Sequence, residues 1–225
     1  KKFEYEQQKD VVYGKGGGEE LRLDLAKPKG LTEPAPAIVV IHGGGWAGGS
    51  KDDPIHTVLA TEAAERGYVA ININYRLAPQ HRFPAQIEDC KCAVRWLRAH
   101  AKELQVDPTR IGAVGGSAGG HLVMMLGTMD AGDGLEGDGG WSDQSSKVQA
   151  VVSFFGPVNL IGDFPAISLQ ILDNFLGGDM KAKAADYRRA SPLTYVNAGD
   201  APMLAIARSA AEGRKVRLDE VSGRL

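Results

Sequence analysis

The chain is poor in several things, and each shortage closes a door. Its 225 residues include two cysteines, Cys90 and Cys92, too few for a disulfide framework. They stand two apart in a segment of helical spacing, where side chains point away from each other, so both read as small buried or half-buried thiols. No apolar run approaches the roughly 20 residues a helical membrane span needs, which predicts a soluble chain without one. Neither sign of charge dominates: 26 basic and 28 acidic residues are interspersed for a net charge of −2. No basic stripe offers a surface for nucleic acid or an anionic membrane. Histidine is scarce, with five residues in all and none after His121.

What is present suits one α/β domain spanning residues 1–225, with 43% hydrophobic and 24% charged residues. Val11-Val12-Tyr13 and the alternating Leu21, Leu23 and Leu25 predict an antiparallel edge hairpin turning at Gly14 to Gly18. Ala37 to Ile41 is continuously apolar, as a strand covered on both faces should be, and runs into His42-Gly43-Gly44-Gly45-Trp46. Helical spacing over Pro54 to Arg66, a strand over Tyr68 to Ile73, and a helix over Ile87 to His100 follow. Strands and helices therefore alternate through residues 37–127, which implies a mostly parallel sheet with right-handed crossovers and helices on both faces. Sites in such sheets collect at the carboxyl ends of the strands.

Arg110 to His121 is an apolar run that breaks at glycines around one serine and resumes as Leu122 to Leu126: strand, sharp turn, helix. Gly115-x-Ser117-x-Gly119 is the nucleophile-elbow pattern, with the serine in a strained backbone conformation at the turn. A Cβ two residues either side of the serine would collide where strand and helix backbones approach. Ser117 Oγ is thereby exposed over the sheet edge, at the amide-bearing start of a helix that favours negative charge. A tetrahedral intermediate also needs N–H donors aimed at its oxygen. The glycine run His42 to Gly45 can present them, together with the amide of Ala118. A phosphate-cradling reading of that run lacks the Lys-Ser or Lys-Thr pair of a P-loop.

Further along, Thr128 to Lys147 is polar, and its Asp130, Asp133, Glu136, Asp138 and Asp143 read as a solvated loop, lacking the ligand spacing of a calcium loop. Val148 to Phe155 predicts a strand. Residues 158–190 predict a helical excursion, a cap candidate carrying Phe164, Ile167, Leu169, Ile171, Leu172, Phe175 and Leu176. Pro202 to Ile206 and Lys215 to Val221 predict two more strands.

The sequence resembles the α/β-hydrolase superfamily, specifically esterases of the hormone-sensitive-lipase-like group and their feruloyl- and acetyl-esterase relatives. The matching stretches are His42 to Trp46, Asn74-Tyr75-Arg76-Leu77-Ala78-Pro79, Phe83 to Asp89, Val94-Arg95-Trp96-Leu97 and Gly115 to Leu122. Looser likeness runs through Ser191-Pro192-Leu193 and Pro202-Met203-Leu204. The resemblance implies an α/β-hydrolase fold and a serine carboxylesterase for small-molecule esters of short acyl chain, without cofactor or metal. It implies Ser117 as nucleophile, the amides of Gly44, Gly45 and Ala118 as oxyanion donors, and Trp46 as lining of the acyl pocket.

In this superfamily the acid and then the histidine follow the serine, and here no histidine does. His121, four residues past Ser117 on the same helix, reads as structural, tucked beneath the elbow. His81, in a loop near a strand end, is the one substitute base considered. If the last two strands are parallel neighbours, as the resemblance implies, a crossover of a dozen or more residues must join them. Only Ala207 to Arg214, eight residues, intervene. The expectation is an omitted segment near 206–208 and a tail after Leu225, with a truncated or frame-shifted gene as rival. Lys1 in place of Met leaves room for an upstream signal, so the compartment, cytoplasmic or secreted, stays open. Three alternatives remain: an amidase or aryl-formamidase on the same fold, a binding module without turnover, and a homodimer whose partner completes the site.

Overall fold

The computed structural model describes residues 2–206, 216 and 217. Eight strands form one sheet: β1 (Tyr5–Gly16), β2 (Glu19–Pro28), β3 (Ala35–Ile41), β4 (Val69–Ile73), β5 (Val106–Gly116), β6 (Ala150–Phe154), β7 (Met203–Ile206) and β8 (Val216–Arg217), in the spatial order β1-β2-β4-β3-β5-β6-β7-β8. The five strands β4, β3, β5, β6 and β7 run parallel, while β1 pairs antiparallel with β2, and β2 with β4. This is the mostly parallel sheet with an antiparallel amino-terminal hairpin that the sequence predicts. The hairpin is longer than its apolar stretch because the outer half of β1 is polar and exposed, as an edge strand can be.

Side-chain alternation splits the core in two. Ala37, Val39 and Ile41 of β3 enter the larger cluster, with Ile87, Val94 and Leu97 of α2 (Ala85–Ala99) and Leu122, Val123 and Met125 of α4 (Ala118–Thr128). Val40, Ala70 and Val114 face the other way, against Ala60 and Ala64 of α1 (Pro54–Glu65). Both faces of the central strands are thus covered, and all five residues of β4 are buried. Helix α1 starts with Pro54 behind Asp53, whose carboxylate accepts the Ile55 amide at 3.0 Å. A single turn, α3 (Ala101–Leu104), links α2 to β5. No helix among the described residues is long and apolar enough to cross a membrane.

The last pairing corrects an expectation. β8 lies antiparallel to β7, with Leu204 opposite Arg217 and Ala205 opposite Val216, where a parallel neighbour was expected. Antiparallel neighbours need no crossover, so the short separation in sequence suffices for the pairing. The omitted segment expected near 206–208 and the tail expected after 225 lie outside the described residues, as does the continuation of the last strand to Val221.

Residues 158–190 form the expected helical excursion, with α5 (Ala166–Leu176) and α6 (Ala184–Arg189). Leu172, Phe175 and Leu176 of α5 join the main core. Glu136, Asp130 and Asp133 of the 128–147 stretch are tied to protein cations and amides. Glu136 bridges Lys91 and Arg95 at 2.7 and 2.8 Å, Asp130 holds Lys147 at 2.7 Å, and Asp133 accepts the Asp130 amide. Cys90 and Cys92 are buried free thiols.

Candidate active site

Three strands that are neighbours in the sheet, β3, β5 and β6, deliver their carboxyl ends to one place. The first contributes the glycine loop that follows Ile41. Its turn closes on the carbonyl of Gly44, which accepts the amides of Ala47 and Gly48 at 3.1 and 3.0 Å. Gly44 holds φ +108, and a side chain there would drive into the Gly48 carbonyl. Two aromatic groups pin the loop from below. The His42 ring stacks on Tyr75 with centroids 4.2 Å apart, and the Tyr75 hydroxyl donates to the carbonyls of His42 at 3.0 Å and Gly43 at 3.4 Å. Burial holds the His42 imidazole down at about 4, so it is neutral near pH 7.

The far end of the loop is anchored by Lys51, whose ammonium is buried against Asp24 at 2.9 Å, Asp10 at 3.0 Å and Asp52 at 3.2 Å. Burial alone would lower its pKa, but the three carboxylates outweigh that and raise it. The Lys51 amide donates to Asn74 Oδ1 at 2.7 Å and its carbonyl accepts from Asn72 Nδ2, which fixes the backbone as well. Asp10 and Asp24 sit on the edge hairpin, so that hairpin helps hold the loop.

Ser117 is the hinge between β5 and α4. Its backbone sits at φ 54, ψ −120, and its amide donates to the Phe154 carbonyl of β6 at 2.7 Å. The serine occupies the N-cap position of α4, where serine ordinarily caps, yet it makes no side-chain capping bond. The hydroxyl is thereby left free of the helix it precedes. The close approach argued from the sequence is there: a Cβ on Gly115 would stand 2.6 Å from Gly119, and one on Gly119 would stand 2.5 Å from the His42 carbonyl. A Cβ on Gly43 would lie 3.4 Å from the Ser117 Cβ, so glycine loop and elbow touch. Among the described residues, no backbone acceptor takes the amides of Gly44, Gly45 or Ala118. Gly44 and Gly45 lie in the loop that touches the elbow and Ala118 follows the serine, so these amides are free to take another acceptor.

The remaining residues singled out from the sequence are spread around this centre. Trp46 is 4% exposed, stacked on Phe175 at 4.3 Å, with its indole N–H donated to His121 Nδ1 at 3.2 Å. The other nitrogen of His121 lies 2.6 Å from the Ala190 carbonyl, which fixes the proton on Nε2. Burial lowers its pKa to about 4. With both nitrogens occupied, His121 joins the glycine loop to the excursion, the structural part read from its position. His81 pairs with Glu19 of the edge hairpin at 3.3 Å. His56 is a buried residue of α1 and His100 stacks on Trp96.

Three contributors escape a reading of motifs. Tyr75 lies within a matching stretch, but nothing local says that its hydroxyl reaches back 33 residues to His42. Ile171 of α5 comes to 3.1 Å of where a Gly45 side chain would be. Phe155, 64% exposed at φ 58, directly follows β6 beside the elbow. Its signal was a large apolar residue immediately before Gly156-Pro157 at a strand end.

Comparison with known proteins agrees with this fold. A family profile described as BD-FAE matches residues 23–212. A probable carboxylic ester hydrolase, LipM of Mycobacterium tuberculosis, is 33% identical over 208 residues, covering 88% of this chain and 46% of its own. The esterase LipQ of the same organism is 28% identical, with 89% of this chain and 48% of its own covered. The chain spans about half the length of these curated relatives. Among solved structures, a truncated carbohydrate esterase from gut microbiota superposes with TM-score 0.79 at 26% identity, over 91% of this chain and 76% of its own. Propionate-bound esterase 2 of Thermogutta terrifontis gives 0.69 at 30% identity, over 90% and 70%.

Proposed function

Because the chain belongs to the BD-FAE family and has the α/β-hydrolase fold of esterases, we propose that it cleaves carboxylic esters through an acyl-enzyme on Ser117. In the first half-reaction Ser117 Oγ attacks the carbonyl carbon and its proton passes to a base. The carbonyl oxygen takes the negative charge against the amides of Gly44, Gly45 and Ala118. The C–O bond to the alcohol then breaks, the alcohol leaves with the proton, and water cleaves the acyl-enzyme by the same steps. One observation carries this reading: a serine at an N-cap that forgoes its cap, next to a glycine loop whose Gly44 and Gly45 amides, like that of Ala118, no backbone carbonyl among the described residues takes. The substrates in this reading are small esters with short acyl or aryl groups; Ile171 is the partly buried apolar side chain beside the glycine loop, while Trp46 and Phe175 are buried behind it in the core.

The base is a histidine in this reaction class, and none of the five here is positioned by a contact with Ser117. His42 and His121 are buried and engaged, and His81 is held by Glu19. That accounting supports a second reading, an ester-binding module without turnover. An amidase would share the elbow and cradle; p-nitrophenyl acetate against p-nitroacetanilide separates the two leaving groups.

The deciding experiment is labelling of the purified protein with a fluorophosphonate, with Ser117→Ala as control. Rapid modification that is lost in Ser117→Ala supports hydrolysis and implies that a histidine reaches the serine. A serine without its base loses on the order of 10⁶ in kcat, so absence of labelling over hours supports the binding module.

A further inference from the structure

We propose that Phe155 is a specificity-determining residue of this site, the wall that receives an aromatic substituent of the ester; this rests on the reading of Ser117 as its nucleophile. The backbone on both sides of Phe155 is fixed. The Phe154 carbonyl is taken by the Ser117 amide at 2.7 Å, and a Cβ on Gly156 would stand 2.5 Å from the His121 amide in the first turn of α4. Between those clamps the chain is forced to φ 58 at residue 155, a conformation in which glycine is far less strained than phenylalanine.

Trp46, at φ 59 just after the glycine loop, shares the conformation, but its ring is buried and stacked, which offsets the strain. The Phe155 ring is 64% exposed and belongs to neither core cluster. It gives the fold almost nothing in return, and strained residues of that kind gather at ligand sites.

The strand order tells on which flank of Ser117 the residue sits. With β5 between β3 and β6, Phe155 lies on the flank of Ser117 opposite to the glycine loop and Ile171. An ester whose carbonyl oxygen points to the glycine amides directs one substituent towards the Phe155 flank. A flat exposed ring rewards another ring, through offset or edge-to-face contact, more than it rewards a methyl group.

The test compares the wild-type chain with Phe155→Gly and Phe155→Leu, reading melting temperature and binding of phenylacetate and acetate by saturation-transfer NMR, which needs no turnover. The wild type should contact phenylacetate and not acetate at equal concentration. In Phe155→Gly the phenylacetate signal should fall about tenfold. Its Tm should stay level or rise by about 2–4 °C, because strain is relieved. Phe155→Leu should keep part of the signal. Equal wild-type signals from the two acids, an undiminished phenylacetate signal in Phe155→Gly, or a fall in its Tm overturns the proposal. If binding behaves as expected while no ester is turned over by the wild type, the hydrolytic reading fails and the assignment of Phe155 stands.

Discussion

The indole N–H of Trp46 donates to Nδ1 of His121 at 3.2 Å, joining the residue after the glycine loop to the helix that follows the candidate nucleophile. Nε2 of the same imidazole donates to Ala190, at the end of the excursion. One buried ring thus fixes three parts of the site relative to one another. Replacing it with alanine leaves the Trp46 donor and the Ala190 acceptor unpaired, at about 1–3 kcal/mol each. His121→Ala should cost about 3–5 kcal/mol in urea unfolding once the cavity is included, and His121→Gln should cost less.

The same burial makes stability depend on pH. His42 and His121 are both held near 4 from an ordinary 6.5, so between those values the unfolded chain binds protons that the folded chain refuses. The stability held by these two histidines therefore falls as pH drops from about 6.5 to 4 and levels off below, and His56, also lowered by burial, adds to the fall. His42 and His121 each contribute up to about 3 kcal/mol to the fall. Urea midpoints at pH 7.0 and 4.5 measure it. In His121→Gln the pH-dependent loss should shrink by about half.

Gly119→Ala places a methyl group against the carbonyls of Ile41 and His42, both backbone and unable to move aside. The expected loss is about 3 kcal/mol or more, visible as poor soluble yield or a collapsed melting temperature. Gly132→Ala, where a methyl group meets nothing within 4 Å, should change stability by less than about 0.5 kcal/mol.

Tyr75→Phe removes the hydroxyl that donates to the carbonyls of His42 and Gly43. Stability should drop by only about 1 kcal/mol. The glycine amides lose their fixed aim, so turnover, or fluorophosphonate labelling where turnover is absent, should slow by about tenfold with little change in substrate affinity.

Glu136→Gln leaves Lys91 and Arg95, each with a side chain 2% exposed, without their shared carboxylate. Removing one partner of a buried ion pair costs about 3–5 kcal/mol, and the one-third exposure of Glu136 points to the lower end. Limited proteolysis should then cut within residues 129–147 before the rest of the chain.

The parts of this molecule legible in the sequence are those where neighbours in sequence solve a local problem. Gly115 and Gly119 bracket a serine because two backbones meet there, and the apolar run of β3 shows that both its faces are covered. The remainder depends on contacts between distant segments. Lys51 reads as an ordinary surface lysine beside a glycine run, since its partners Asp10 and Asp24 lie on a hairpin far upstream. Tyr75 gives no sign of its reach to the glycine loop, and the direction of β8 could not be taken from its apolar alternation, which is the same in parallel and antiparallel pairing. The base that would activate Ser117 is not legible because no histidine follows His121.

The amide of Ser117 closes the β5–β6 ladder through the Phe154 carbonyl, directly after the pairing of Gly116 with Phe154. The candidate nucleophile is therefore the final rung of the central sheet, and not a loop residue resting above it. Its position is inherited from strand register, so the amide of Ser117 should exchange with deuterium as slowly as those of Val114 and Gly115, released only when the sheet itself opens.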